Sequence, residues 1–165
     1  MRSLLRACGA LLLMLLAVND HAADPVYLDE LAETSSADLR RQFPTLKRDG
    51  CFQLADGHFL LIAIDKKDQK PRRVALSQNI PCRRAEPGPA LDVRQRGGVL
   101  LGDTSMMVVE KLGRPDASAE PEAAMKTLGS TEYFYICRFS AGCARHTSVF
   151  IREGVVSGIA EWYSE

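Results

Sequence analysis

The sequence has no excess of charge of either sign and few aromatic side chains. Lysine and arginine number 21, aspartate and glutamate also number 21, and aromatic residues make up 7% of the chain, with a single tryptophan. This balance disfavours a general nucleic-acid binder, which requires a basic surface. Beyond the amino terminus the chain lacks an apolar run of membrane-spanning length, so we expect no membrane span there.

Residues 1–23 have the composition of a secretory signal. Arg2 and Arg6 supply a positive start, an apolar stretch rich in leucine occupies residues 7–18, and small residues end the segment at Ala23. The stretch is short for a bilayer anchor. We therefore expect cleavage near Ala23 and export to the periplasm or the medium.

Four cysteines follow this segment, an even number that indicates disulfides in an exported chain. They are Cys51, Cys82, Cys137 and Cys143, to which three pairings are open. We favour Cys51 with Cys82, because Cys51 opens a predicted sheet and Cys82 follows its third strand. Cys137 and Cys143 flank a predicted turn, where a bridge between them pins a hairpin.

The periodicity of the chain predicts one helix followed by three strands, twice over. The first set has a helix over 28–43, with a fresh start at Thr34 as an alternative, and strands over 51–54, 59–64 and 72–77. The second set has a helix over 104–112 and strands over 131–139, 145–152 and 155–163. Residues 83–92 read as a linker, because two prolines around a glycine end regular structure. The expected fold is α+β, with two helix-plus-three-stranded antiparallel repeats (24–82 and 93–165) packed side by side and stapled by disulfides.

The helix over 104–112 has both ends marked. Thr104 is a suitable N-cap, and Gly113 can adopt the left-handed conformation that ends a helix. The apolar residues at helical spacing are expected to form its buried face: Met106, Val108, Val109 and Leu112.

The residues around this helix resemble the SmpA/OmlA (BamE-like) domain. Residues 101–104 read Leu-Gly-Asp-Thr and 112–115 read Leu-Gly-Arg-Pro, followed by an aromatic strand at 133–135 and a Gly-Val-Val return at 154–156. Asp103 stands where the family usually has methionine, and the insert before the aromatic strand is longer. A tandem of such units is similar to the β-lactamase inhibitor protein family. Both resemblances imply a non-catalytic binding protein, and the second implies a concave sheet surface.

Two alternatives that involve chemistry are weaker. Cys137, Cys143 and His146 have spacing compatible with zinc ligation, but a fourth ligand is missing and exported cysteines usually oxidise. A small periplasmic hydrolase would need a cleft that gathers His58 or His146 with an acid and a nucleophile. We expect neither a cofactor nor a metal, and no enzymatic activity.

The remaining candidate features are surfaces. Tyr133 and Tyr135 share one strand face and, with Trp162 and Tyr163, form a candidate binding face, with completion of the core as the equally weighted alternative. A basic hairpin could contact anionic lipid, although a solvated turn is favoured; its members are Lys66, Lys67, Lys70, Arg72 and Arg73.

The functional hypothesis is an exported module of the bacterial cell envelope that binds another envelope or secreted protein through its sheet. The alternative within binding is a secreted or periplasmic enzyme inhibitor.

Overall fold

The computed structural model describes residues 24–67, 69–138 and 145–163. The predicted signal segment and Cys143 lie outside these ranges. Within them, the helices are α1 (Leu28–Glu33), α2 (Ser36–Gln42) and α3 (Ser105–Leu112), with one 3-10 turn at Ala123–Met125. The strands are β1 (Val26–Tyr27), β2 (Asp49–Gln53), β3 (Phe59–Ile64), β4 (Pro71–Ser77), β5 (Glu86–Pro87), β6 (Val93–Arg94), β7 (Ala117–Ala119), β8 (Thr131–Ile136), β9 (Arg145–Arg152) and β10 (Val155–Tyr163).

Eight strands form one continuous mixed sheet, in the order β5-β2-β3-β4-β10-β9-β8-β7, while β1 and β6 pair separately. The α+β class is therefore confirmed, but the two expected three-stranded sheets are joined. The join lies between β4 and β10, which pair antiparallel from Ser77 opposite Gly158 to Arg73 opposite Trp162. Both strands are mostly buried, and pairing satisfies the backbone groups that two separate sheets would leave unpaired in the core.

The predicted helix over 28–43 consists of two short helices. Ser35 is the N-cap of α2, where its hydroxyl accepts a hydrogen bond from the Asp38 amide at 3.2 Å. Thr34 instead ends α1, because its amide donates to the Glu30 and Leu31 carbonyls. The expected alternative of a fresh start thus holds, one residue later than predicted.

All three helices pack on one side of the sheet, which we call the helix face. The main core lies there and includes Leu28, Leu39, Leu60, Val74, Val108 and Ile159. Thr104 caps α3 by accepting from the Met107 amide at 3.3 Å, and Gly113 ends it with a φ of +79°, both as predicted.

The buried side of α3 differs from the prediction. Val108 and Leu112, one helical turn apart, point into the core, whereas Met106 is 77% exposed. Positions two apart in a helix are separated by about 200° around the axis, so Met106 points away once Val108 points inward. The spacing of apolar residues therefore predicted a buried face of α3 that is too wide.

The described residues cover only part of the other side of the sheet, which we call the opposite face. The covering residues are Met125 and Leu128, which pack on Phe150, Ala75 and Ala160. Gly158 permits this close approach, since a Cβ there would lie 3.0 Å from the Leu128 Cβ. Residues 120–130 thus shield one part of this face and leave the rest of it for the site described below.

The disulfide between Cys51 and Cys82 is present, with a Cα–Cα distance of 6.6 Å. Cys137 is also disulfide-bonded, and the Cys143 half of the predicted second bridge lies outside the described residues. The predicted linker 83–92 contains β5, which runs parallel to β2 along the sheet edge. None of the described helices is long and apolar enough to cross a membrane.

Candidate functional site

A row of side chains crosses the opposite face near the ends of five strands. Arg73, Trp162 and His146 occupy directly opposed positions on β4, β10 and β9. Directly opposed residues on neighbouring strands point to the same side of a sheet. We call this row, with its aromatic neighbour on β8, the Trp162 surface; its members are Ala63, Arg73, Phe134, Ile136, His146 and Trp162.

Hydrogen bonds through Ser148 to Glu132 hold the Trp162 side chain in one orientation. Its indole N–H donates to the Ser148 hydroxyl at 2.9 Å, and that hydroxyl donates to a Glu132 carboxylate oxygen at 2.5 Å. Ser148, in the middle of this chain of bonds, is fully buried. A large aromatic ring that is already fixed loses little conformational entropy when a partner covers it.

Arg73 lies beside the indole and is poorly compensated for its burial. Its guanidinium carbon lies 5.2 Å from the centroid of the Trp162 ring, and one terminal N–H contacts the Met125 sulfur at 3.0 Å. The buried Nε has no hydrogen-bond acceptor among the described residues. Burial lowers the pKa of Arg73, although Asp49 and Glu122 oppose that shift. A guanidinium carries five N–H donors, so most of the Arg73 donors have no acceptor among the described residues.

The other side of Trp162 is largely apolar. The His146 ring stacks on Phe134 with centroids 5.1 Å apart, and its buried Nδ1 lacks a partner within the described chain. Ile136, next in the row, is 45% exposed. Trp162 therefore separates a cationic side of the surface from an aromatic and aliphatic side.

Two cavities meet at Trp162. One, of about 390 Å³, includes Arg48, Asp49, Arg73 and Lys66 in its wall. The other, of about 370 Å³, includes Phe134, His146, Glu132 and Ala117. Trp162, Arg72 and Glu122 border both, so the indole forms a ridge between two depressions.

The predicted aromatic patch is divided between the two faces. Tyr135 is 0% exposed on the helix face, where its hydroxyl donates to the Gly113 carbonyl at 3.3 Å and burial raises its pKa to about 12. Tyr133 packs against the same core. Tyr163 stacks with Arg145 on that side, at 4.7 Å, and also reaches the rim of the second cavity. Of the four residues, Trp162 alone stands on the opposite face.

For Tyr135 the alternative of completing the core therefore holds, and its assignment to the candidate binding face is wrong. The space beneath α3 has to be filled to the density of a protein interior, and a tyrosine whose hydroxyl donates to a helix-terminal carbonyl fills it without an unpaired group.

The residues of the predicted basic hairpin also lie in two different environments. Lys66, Lys67 and Lys70 are exposed, whereas Arg73 is half-buried at the Trp162 surface. Along β4, Arg73 alternates with Val74, which points into the core, and this alternation was the sequence signal that could have placed Arg73 on the opposite face.

The two histidines lie in different surroundings. The His58 Nδ1 is 2.8 Å from an Asp56 carboxylate oxygen, at the β2–β3 turn. The described walls of the His58 and His146 cavities contain acids but no serine, threonine, cysteine or lysine. Among the residues that the structure describes, no group of three histidine, cysteine, aspartate or glutamate side chains could hold a metal ion.

Comparison of the chain with protein-family models, with curated proteins and with solved structures finds no significant match. Function therefore has to be inferred from the geometry of the Trp162 surface.

Proposed function

We propose that this chain is an exported protein-binding module of the bacterial cell envelope and that it contacts its partner through the Trp162 surface. The observation that carries the proposal is the position of Trp162, fixed by Ser148 on an incompletely covered sheet face between two cavities. Tryptophan and arginine are the residues that most often anchor protein interfaces, where they fill or flank pockets at the centre of the contact.

Export is supported by two features. The disulfide between Cys51 and Cys82 requires an oxidising compartment to persist. Residues 1–23 have the charged start, apolar middle and small-residue end of a cleavable signal. A periplasmic or secreted protein satisfies both requirements.

A tandem repeat of an SmpA/OmlA-like unit remains part of the proposal. Each half contributes three consecutive antiparallel strands, β2-β3-β4 and β8-β9-β10. The third strands of the two sets pair antiparallel, which is the arrangement expected of two equivalent units related by a two-fold axis normal to the sheet. The shared sheet would then present one binding surface built from both halves.

The experiment that tests the proposal is site-specific photocrosslinking in cells that express the full chain. Benzoylphenylalanine is placed at Ile136 on the Trp162 surface and, as the matched control, at Met106 on α3; both side chains are exposed. We expect the Ile136 position to yield one defined crosslinked protein, identified by mass spectrometry, that the Met106 position does not yield. Adding Trp162→Ala to the Ile136 variant should abolish that product while the circular dichroism spectrum is retained. Equal products from both positions, or a product indifferent to Trp162→Ala, would contradict the proposal.

A further inference from the structure

The Arg73 guanidinium is the least satisfied polar group on the Trp162 surface. Its Nε is buried without an acceptor within the described chain, and its one recorded hydrogen bond goes to a thioether, which is a weak acceptor. The nearby Asp49 carboxylate lies 3.5 Å from the Arg48 Nε instead. A charged group that has lost water without gaining strong acceptors costs free energy in the unbound protein.

We infer that the partner protein inserts an acidic side chain into the cavity beside Trp162, where its carboxylate accepts hydrogen bonds from Arg73. This inference rests on the proposed function and names the chemistry of the partner at that site.

The N–H donors of Arg73 suit a carboxylate. Among the described residues its one hydrogen bond goes to the Met125 sulfur, so the other N–H groups of the planar guanidinium beside Trp162 stay available. Two such N–H groups match the two oxygens of a carboxylate, which can accept two parallel hydrogen bonds. The adjoining cavity, of about 390 Å³, is at the small end of the range for ligand pockets, so it fits a side chain better than a large ligand.

The aromatic and aliphatic side of the Trp162 surface determines which side chain of the partner accompanies the acid. Phe134 and Ile136 lie on β8, beyond Trp162 and His146 when the sheet is crossed from Arg73. Neighbouring strands are about 4.8 Å apart, and an extended chain advances about 3.3 Å per residue. Three strand spacings separate Arg73 from Phe134, about 14 Å, so an extended segment that crosses the strands places an apolar side chain over Phe134 about four residues from the acid, on the same side of the segment. The partner motif is an acidic residue followed or preceded at that spacing by a large apolar one.

Glu122 gives the inference an internal test. This carboxylate borders both cavities and raises the pKa of Arg73, so it competes electrostatically with an incoming acid. Glu122→Gln removes that repulsion and should tighten binding of an acidic segment. Arg73→Gln removes the attraction and should weaken it.

The assay uses the fluorescence of Trp162, the single tryptophan in the sequence. The probes are two acetylated and amidated heptapeptides, Ala-Glu-Ala-Ala-Ala-Leu-Ala and its counterpart with glutamine in place of glutamate. We expect saturable changes in emission, with the glutamate peptide binding at least fivefold more tightly at low salt. Arg73→Gln should erase the difference between the peptides, and Glu122→Gln should raise affinity for the glutamate peptide two- to threefold. Arg41→Gln, on α2, is the matched control and should change neither value.

The outcomes separate the inference from the proposed function. Equal affinity for both peptides would overturn the carboxylate contact while leaving the surface as a binding site. Absence of any response to the peptides, with the Ile136 crosslink retained, would also overturn the inference and spare the proposed function. Loss of both the response and the crosslink would overturn both. The thermal unfolding midpoint of each variant checks that Arg73→Gln remains folded.

Discussion

Two arginine–aromatic pairs lie on opposite sides of the same sheet. On the helix face, the Arg145 guanidinium lies 4.7 Å from the centroid of the Tyr163 ring. On the opposite face, Arg73 lies 5.2 Å from the centroid of the Trp162 ring. Tyr163 and Trp162 are consecutive residues of β10, so the strand presents a similar pair to each side.

The pairs differ in what else the arginine contacts. Arg145 donates to the Ala32 carbonyl at 2.6 Å and lies 3.5 Å from Glu33, which ties β9 to the end of α1. Arg73 has one recorded hydrogen bond, to the Met125 sulfur. The same type of pair is therefore tied into the fold on the helix face, whereas on the opposite face most of the arginine donors have no acceptor among the described residues. The degree of hydrogen bonding, more than the residue types, distinguishes the structural pair from the pair at the proposed binding site.

Replacing Arg145 should have the largest effect on stability. Arg145→Met removes a buried charge together with its bond to Ala32 and its link to Glu33, and it leaves the Ala32 carbonyl without that donor. We expect the free energy of unfolding to fall by about 3 kcal/mol, because a charge-assisted hydrogen bond is lost and the Ala32 carbonyl loses its buried donor. Urea unfolding followed by circular dichroism measures it. A loss below about 1 kcal/mol would mean that Arg145 is no better integrated than Arg73.

The second-largest expected effect is a pH dependence of the free energy of unfolding that comes from the helix face. Burial raises the pKa of Glu161 on the helix face to about 7, and the Thr147 hydroxyl, which donates to it at 2.8 Å, only partly offsets this. Because the folded pKa lies above that of the unfolded chain, the protonated carboxyl stabilises the fold below about pH 4.5, and this contribution is lost as pH rises through about 7. At about 1.4 kcal/mol per pKa unit, the loss is about 3 kcal/mol.

Glu161→Gln should flatten this pH dependence, because an amide does not ionise. Unfolding midpoints in urea between pH 4.5 and 8 provide the measurement for both proteins. A parallel decline in the variant would assign the pH dependence to other groups.

Replacing Arg73 should have little effect on stability. Arg73→Met keeps most of the side-chain volume beside Trp162 and removes a charge that is desolvated without strong acceptors. We expect the free energy of unfolding to change by less than about 1 kcal/mol, since a poorly paired buried charge contributes little net stability. The same urea titration decides this. A loss as large as that of Arg145→Met would mean that Arg73 is a structural residue.

The smallest expected effect concerns ions near Trp162. Because Arg73 and Arg72 flank the indole, iodide should quench its fluorescence more strongly than caesium, by roughly twofold at low salt. Arg73→Met should reduce this ratio toward one. An unchanged ratio would place the local positive charge elsewhere.

Much of the fold follows from local sequence signals. The bounds of β3, β9 and β10 agree with the prediction, because turn residues mark where these strands stop; Gly154, for example, takes a φ of +82°. Thr104 and Gly113 likewise mark the ends of α3 through their own backbone preferences. Such signals act within a few residues, so they are readable without the tertiary structure.

The site was harder to predict. Alternation along β8 separates Tyr133 and Tyr135 from Phe134, but both sides of this sheet bury apolar residues. Which set lies beneath helices depends on how α3 docks and on where residues 120–130 cross, and neither follows from period-two patterning. The sequence groups Arg73 with the basic hairpin, although the predicted third strand begins at residue 72, because its neighbour on β10 is distant in the chain. Only the pairing of β4 with β10 brings it beside Trp162.

The junction between β4 and β10 also constrains the order in which the chain can fold. Strands β5 to β9 lie between β4 and β10 in the sequence. The edge of β4 that does not pair with β3 therefore has to wait for the last described strand before its hydrogen bonds are complete. A contact of such long sequence separation is slow to form, and an apolar strand edge that waits for its partner is prone to pair with other molecules. Under the proposed export, with the chain emerging from its amino end, this interval would fall during translocation, when a chaperone that shields strand edges would matter most.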